Sequence, residues 1–227
     1  VACTAGTTNL GVIDDMQGIG RVSHEQDVWM HVDGAYGGAG LAAASIREAF
    51  DGIELAHSFI VDPHKWLFAP FDCCALIYQD PRLAREAHQQ QGAYLEVVYD
   101  GVWNVSDYAH HLSRRARGLP LWFSLATHGT EAYADAVEQT LAVAKEAAVR
   151  IERHPDLELV AEQNLSICVF RRKGWNPEDY ANWSDHQLET GQSFVTPTKH
   201  NGETVLRFCI VNPRTTVQHI EEILASL

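Results

Sequence analysis

The sequence predicts an α/β protein with a mostly parallel sheet, followed by a smaller α+β region. Short apolar segments that end in turns alternate with longer connections, which is typical of parallel strands joined by crossovers. A long helical pattern separates this part from a second group of strands and helices. With 227 residues, the chain is long enough for a large domain and a small one.

The predicted strands of the first part are short, apolar and followed by turn residues. They span residues 1–8, 28–32, 58–61 and 73–78. Residues 14–25 are predicted to form a helical or loop connection, and residues 45–50 a short helix.

A polar segment without clear periodicity, residues 88–113, predicts a long loop that is either functional or disordered. The pattern from 114 to 154 is helical, with an interruption at Gly129 and a candidate N-cap at Thr130. Three arginines lie at the start of this helical segment: Arg114, Arg115 and Arg117. They could be solvated helix charges, but we expect some of them to have carboxylate or backbone partners.

The sequence His154-Pro155-Asp156 indicates a boundary between a large domain, 1–154, and a small domain, 155–227. The small domain has a mixed pattern of strands and helices, which predicts an α+β unit. Its predicted strands are 157–163, 166–172, 193–198 and 204–211, and its predicted helices are 177–190 and 215–226.

Composition restricts the classes of partner and the compartment. A net charge of −13 argues against nucleic acid or an anionic membrane as the main partner. We see no apolar run long enough to cross a bilayer and no secretory signal pattern. Five cysteines without a CxxC pattern predict reduced thiols and a cytoplasmic location. Twelve histidines occur without HExxH, so we expect no metal site.

Candidate functional residues follow three of the predicted strands. Asp33 and Lys65 each end an apolar segment, and Thr7-Thr8 ends another. The carboxyl ends of parallel strands lie at one edge of a sheet, where ligands bind. A lysine in apolar surroundings can act as a Schiff-base nucleophile. On spacing alone, the alternative is a structural Asp33–Lys65 salt bridge capped by the threonines.

Two segments together resemble the group II pyridoxal-phosphate-dependent amino-acid decarboxylases. They are "HVDGAYGG" at 31–38 and "HSFIVDPHKWLFAPFDC" at 57–73. "TAGTTNLG" at 4–11 and "SRRARGLPLWF" at 113–123 are also similar to that family, and the resemblance covers essentially the whole chain. It implies the fold-type I architecture, which is like that of aspartate aminotransferase, with a partial large domain and a C-terminal small domain.

The resemblance also implies roles for single residues around pyridoxal 5'-phosphate. Lys65 binds the cofactor as an internal aldimine, and Asp33 pairs with the protonated pyridine nitrogen. Ala35 packs on one face of the ring, and His64 lies near the phosphate. Thr8 lies near the ring hydroxyl or the substrate carboxylate.

Asp62 belongs to this predicted cofactor-binding set, but it departs from the family pattern, in which many members have asparagine. Because a carboxylate repels phosphate, the resemblance does not carry a phosphate contact over to Asp62.

Tyr94 lies in "GAYLEV", which resembles the mobile catalytic loop of the family. The resemblance implies that Tyr94 returns a proton to Cα after carbon dioxide leaves, whereas related aldehyde synthases have phenylalanine there. It also implies a homodimer, since this loop reaches the site of the partner subunit in the family.

The resemblance implies decarboxylation of an L-amino acid to its amine through an external aldimine and a quinonoid. We expect an aromatic substrate, with a diamine-forming or acidic one as the alternative. Two alternatives stay open: another fold-type I lyase, or a non-catalytic polypeptide in isolation. The first residues, 1–4, already have a strand pattern. We therefore expect the chain to be the C-terminal part of a longer protein whose earlier segment supplies a ring-stacking aromatic residue and a phosphate loop.

Overall fold

The structure, a computed structural model, describes residues 1–90 and 103–227. Within these ranges the strands form two four-stranded sheets. A long helix, α3 (Gly118–Arg153), lies between the two sheets in the sequence and contributes side chains to the apolar cores beside both of them.

The first sheet has the strand order β1-β2-β3-β4. β1, β2 and β3 are parallel, with Thr4 opposite Asp33 and Asp33 opposite Ile60. β4 is antiparallel to β3, because the chain turns back after β3 without a crossover helix. The strands are β1 (Ala2–Thr4), β2 (His31–Asp33), β3 (Ser58–Val61) and β4 (Ala75–Tyr78). The prediction of a mostly parallel sheet is correct, and the bounds of β3 match.

β1 ends earlier than predicted because the chain leaves the sheet at a glycine. Gly6 has a φ of 105°, and a Cβ on this residue would come within 2.8 Å of the Gly37 Cα. This close approach requires glycine and brings the loop of residues 6–12 against the segment that follows β2.

The helices beside the first sheet are short. α1 (Met16–Glu25) begins at Asp15, whose side chain accepts a hydrogen bond from the Gly18 N–H, and α2 spans Pro81–His88. The predicted helix over 45–50 is a 3₁₀ helix. The 3₁₀ helices are Gly37–Ala42, Ala44–Phe50, Ile53–Leu55 and Val105–Tyr108.

α3 is interrupted at Gly129, as the sequence predicts, where φ is 79° and ψ is 162°. Before this point most of the helix surface is exposed. After it, one face is buried at helical spacing. Val137 and Leu141 pack in the core of the first sheet, whereas Ala144 and Ile151 pack in the core of the second.

The second sheet is antiparallel, with the strand order β5-β6-β8-β7. β5 is shorter than the predicted strand 157–163, and β7 is displaced from the predicted strand 193–198 toward the C-terminus, while the other elements agree closely with the sequence patterns. The division into domains at residue 154 stays a prediction. The elements are β5 (Leu157–Leu159), β6 (Ile167–Arg172), α4 (Pro177–Glu189), β7 (Pro197–His200), β8 (Glu203–Cys209) and α5 (Val217–Ala225).

In the part of the chain that the structure describes, no helix combines the length and the apolar character that a membrane crossing requires.

The break in α3 generates a stability prediction. The backbone angles of Gly129 lie in a region that only glycine adopts readily, although a Cβ there would meet no atom within 4 Å. We expect Gly129→Ala to lower the free energy of unfolding by about 1–3 kcal/mol through backbone strain alone. Urea unfolding followed by circular dichroism measures this change.

Gly118→Ala is the matched control, because a Cβ at Gly118 also has open space but the residue does not have a positive φ. We expect this variant to be neutral or slightly stabilised. Equal effects of the two substitutions would contradict the assignment of the break to Gly129.

Candidate active site

Asp33 is the last residue of β2, and its side chain is exposed at the carboxyl edge of the first sheet. Its Oδ1 accepts a hydrogen bond of 3.0 Å from the Ala35 N–H. The backbone on either side is tied to both neighbouring strands: the Ala5 N–H donates to the Asp33 carbonyl, and the Gly34 N–H donates to the Ile60 carbonyl. The carboxylate therefore projects from a firmly attached loop.

Lys65 lies in the turn that follows β3, and its backbone N–H donates to the Asp62 carbonyl. The Nζ atom lies 2.9 Å from Asp62 Oδ2, with side-chain exposures of 43% for Lys65 and 15% for Asp62. The ion pair is thus Lys65–Asp62, and the Asp33–Lys65 bridge that spacing suggested is absent from the described residues. The amine is accessible to a ligand rather than enclosed by apolar side chains.

His64 is oriented by the backbone of the same turn. Its Nδ1 lies 2.6 Å from the Cys73 carbonyl oxygen, and its ring meets Phe71 edge to face at 5.1 Å. The Cys73 N–H also lies 3.2 Å from Nδ1, so the Cys73 backbone holds this ring nitrogen and leaves Nε2 as the ring atom that can face a ligand.

The glycines after β2 allow close packing of two site loops. A Cβ on Gly34 or on Gly38 would collide with the ring of Phe59, and one on Gly37 would collide with the Ala5 carbonyl. The loop can therefore lie directly on β3 and on the end of β1 only without these side chains.

Two further sequence-predicted residues lie at this edge. The Ala35 carbonyl accepts a hydrogen bond of 3.0 Å from the Asp62 N–H, which joins the Asp33 loop to the Lys65 turn. Thr8 is exposed in the 6–12 loop, whereas the Thr7 hydroxyl accepts a hydrogen bond from the Val12 N–H within that loop. Tyr94 lies outside the described residues.

Asp72 is a site neighbour that the sequence analysis missed. It accepts a hydrogen bond of 2.9 Å from Arg117 Nε and also pairs with Arg115. These bonds, above all the one from Arg117, lower the pKa of the Asp72 carboxyl. They attach the segment before α3 to the turn of Lys65. Arg114 donates to the Val105 carbonyl, so all three arginines have a carboxylate or backbone partner, where the sequence predicts this for some of them.

No group of three or more histidine, cysteine or acidic side chains in the described ranges is arranged to bind a metal ion. The chemistry available at this edge is that of an accessible amine, a carboxylate on the adjacent strand and an oriented imidazole. An aldehyde can condense with the amine, and a protonated ring nitrogen can pair with the carboxylate. Pyridoxal 5'-phosphate has both groups, so these residues fit it.

Comparison with known proteins gives the same result. Residues 1–173 match the model of the pyridoxal-dependent decarboxylase conserved domain. The chain is 32% identical to tyrosine decarboxylase 2 of Arabidopsis thaliana, over 98% of this chain and 42% of that protein. It is 30% identical to L-2,4-diaminobutyrate decarboxylase of Acinetobacter baumannii, over 100% of this chain and 46% of that protein.

Solved structures show the same fold. The crystal structure of Oryza sativa TDC with PLP and tryptamine superposes with a TM-score of 0.87 at 26% identity, covering 100% of this chain and 50% of that one. The prediction of a partial fold-type I architecture is confirmed. The chain spans about half the length of the curated relatives it matches. From its sequence, its fold and the residues at the sheet edge, the chain belongs to the pyridoxal-dependent decarboxylase family, whose cofactor is pyridoxal 5'-phosphate.

Proposed function

We propose that the protein containing this chain is a pyridoxal-phosphate-dependent decarboxylase of an L-amino acid, with Lys65 as the residue that binds the cofactor covalently. The observation that supports this proposal best is the accessible Lys65 amine beside the carboxylate-bearing end of an adjacent parallel strand. When bound, the cofactor supplies an electron sink for the electron pair released as the bond from Cα to the carboxylate breaks.

Asp33 supports this chemistry by holding a proton on the ring nitrogen. Its carboxylate is exposed, and one of its oxygens already accepts the Ala35 N–H, which fixes its direction. A negative charge fixed in advance stabilises a cationic ring without reorganisation during the reaction.

Asp62 acts in our proposal through Lys65 rather than through the phosphate. Its 2.9 Å ion pair orients the lysine side chain at the sheet edge, which gives a role to a carboxylate where many family members have asparagine. His64 is proposed to face the phosphate, Ala35 the ring, and Thr8 the ring hydroxyl or the substrate carboxylate. The orientation of His64 by the Cys73 backbone supports its part in this arrangement.

We propose an aromatic amino acid as the substrate. The relatives named aromatic-L-amino-acid decarboxylase and tyrosine decarboxylase support this class. An amino acid with a second amine is the alternative substrate, since the diaminobutyrate decarboxylase of Acinetobacter baumannii is 30% identical to this chain, close to the 32% of the tyrosine decarboxylase.

We propose a homodimer in the cytoplasm. The first part of α3 has an exposed apolar stripe at helical spacing, formed by Leu119, Trp122 and Phe123. Exposed apolar patches are typical of protein interfaces, and we propose that a second copy of the chain covers this one. All five cysteines are unpaired, which supports a reducing compartment.

The cofactor-binding role of Lys65 is tested with Lys65→Ala in the full-length protein. We expect the visible absorption of bound pyridoxal phosphate to disappear and decarboxylation to fall to background, because the amine that binds the cofactor is lost. Borohydride reduction and peptide mapping of the wild type should place the label on Lys65.

Lys145→Ala is the control, since Lys145 is exposed on α3. It should bind cofactor like the wild type. A near-normal decarboxylation rate in Lys65→Ala would refute the proposal.

Tyr94 is proposed as the proton donor to Cα on the basis of the family resemblance. Tyr94→Phe should shift the product from amine toward aldehyde under oxygen, because the proton donor is absent while the cofactor site is intact. Chromatography of the products measures the amine and the aldehyde, and an oxygen electrode measures the oxygen consumed. Tyr108→Phe, a change in the 3₁₀ helix Val105–Tyr108 that follows later in the sequence, should leave the product unchanged. If Tyr94→Phe still produced only amine, Tyr94 would not be the donor.

The dimer proposal is tested with Trp122→Glu, which places a charge in the stripe where Trp122 is 59% exposed. We expect the dimer dissociation constant to rise at least about tenfold, as measured by analytical ultracentrifugation. Leu188 on α4 is 57% exposed, so Leu188→Glu is the matched control and should dimerise like the wild type. Equal dissociation constants for both variants and the wild type would exclude the stripe as the interface.

A further inference from the structure

We infer that Tyr36 is a positioning residue that fixes the Asp33 loop against the Lys65 turn, through ring stacking on Trp66 and a hydrogen bond to Ser166. None of these three residues is part of the predicted cofactor-binding set. The inference rests on the proposed function for its cofactor measurements, and on the contacts of the described residues for its geometry.

The aromatic stack joins the two parts of the site. Tyr36 is the third residue after Asp33, and Trp66 directly follows Lys65. Their ring centroids are 5.2 Å apart with an interplanar angle of 15°, within the range of favourable offset stacking. Trp66 is completely buried. The neighbours of the carboxylate and of the amine are therefore packed directly on each other.

The Tyr36 hydroxyl extends this connection to the second sheet. Its oxygen lies 2.5 Å from Ser166 Oγ and accepts a hydrogen bond of 3.2 Å from the Ser166 N–H. Ser166 is completely buried directly before β6, and its carbonyl accepts the Ile210 N–H. Burial raises the pKa of the Tyr36 hydroxyl, so this group stays neutral and can both donate and accept.

The Trp66 indole extends the connection in the other direction, to α3. Its Nε1–H donates to Thr140 Oγ1 at 2.9 Å, and the Thr140 hydroxyl donates to the Val137 carbonyl at 2.8 Å. Thr140 is buried as well. A continuous set of contacts thus runs from Ser166 through Tyr36 and Trp66 to Thr140.

This set matters because the cofactor must meet two groups that come from different loops. Besides the stack, a backbone hydrogen bond from the Asp62 N–H to the Ala35 carbonyl joins these loops, and one from the Gly34 N–H to the Ile60 carbonyl joins the Asp33 loop to β3. Binding of one cofactor by both the Lys65 amine and the Asp33 carboxylate is sensitive to shifts of a fraction of an ångström between them. A looser Asp33 loop should therefore weaken cofactor binding. Loss of the Tyr36 hydroxyl would also leave the buried Ser166 N–H without this acceptor.

The test uses Tyr36→Phe in the full-length protein, which keeps the ring and removes the hydroxyl. We expect the apo protein to melt at a lower temperature and the dissociation constant for pyridoxal phosphate to rise about tenfold. Calorimetry of the apo protein and fluorescence titration with the cofactor give the two quantities without measuring catalysis.

Tyr180→Phe is the matched control. The Tyr180 hydroxyl also bonds to backbone groups: it accepts a hydrogen bond of 2.9 Å from the Arg172 N–H and donates one of 3.2 Å to the Arg172 carbonyl. Tyr180, however, lies in the core of the second sheet. This variant should melt at a lower temperature with an unchanged cofactor dissociation constant. Ser166→Ala should raise the cofactor dissociation constant as Tyr36→Phe does. The double variant should bind the cofactor no more weakly than either single variant. Ser166→Ala therefore also decides the question if Tyr36→Phe does not fold.

An unchanged cofactor dissociation constant in both Tyr36→Phe and Ser166→Ala, with a label still on Lys65, would overturn the positioning role and leave the proposed function intact. A wild-type protein that forms no label on Lys65 would overturn the proposed function, and this inference with it.

Discussion

Parallel pairing of β1, β2 and β3 is the constraint on which the rest of the site depends. Because Thr4 lies opposite Asp33 and Asp33 lies opposite Ile60, the three strands end at the same edge of the sheet. The loop of Thr8, the carboxylate of Asp33 and the amine of Lys65 are neighbours for this reason. A shift of β2 by one residue would turn Asp33 to the other face of the sheet and separate it from the lysine turn.

Close backbone packing converts this shared edge into a defined site. Glycines at positions 6, 34, 37 and 38 allow the loops to touch without intervening side chains. Backbone hydrogen bonds then tie the Asp33 loop to β1, β3 and Asp62. Tyr36 and Trp66 add a layer beneath the loops that reaches α3 and the second sheet. The side chains of Thr8, Asp33 and Lys65 are exposed, so their positions depend on this support rather than on their own burial.

Much of this arrangement can be predicted from local sequence. The apolar run over 58–61, the position of Asp33 at a strand end, and the break at Gly129 all follow from residue patterns within a few positions. The sequence also predicts Lys65 at a strand end, but Lys65 lies in the turn after β3, which ends at Val61. The parallel pairing follows from the alternation of strands and long connections.

The partners of the site residues cannot be predicted in this way, because they depend on tertiary contacts. Lys65 pairs with Asp62 rather than with Asp33, since the turn after β3 brings residues three positions apart together. Asp72 meets Arg117 across 45 positions, and Tyr36 meets Ser166 across 130. The pattern around each of these residues is compatible with many partners.

The central claim is that Lys65 and Asp33 bind one cofactor molecule at the shared edge of the sheet. A crystal structure of the full-length protein with pyridoxal phosphate tests it most directly. We expect continuous density from Lys65 Nζ to the cofactor, and the Asp33 carboxylate at about 2.7–2.9 Å from the ring nitrogen. Cofactor bound elsewhere, with Lys65 still paired to Asp62 alone, would contradict the claim.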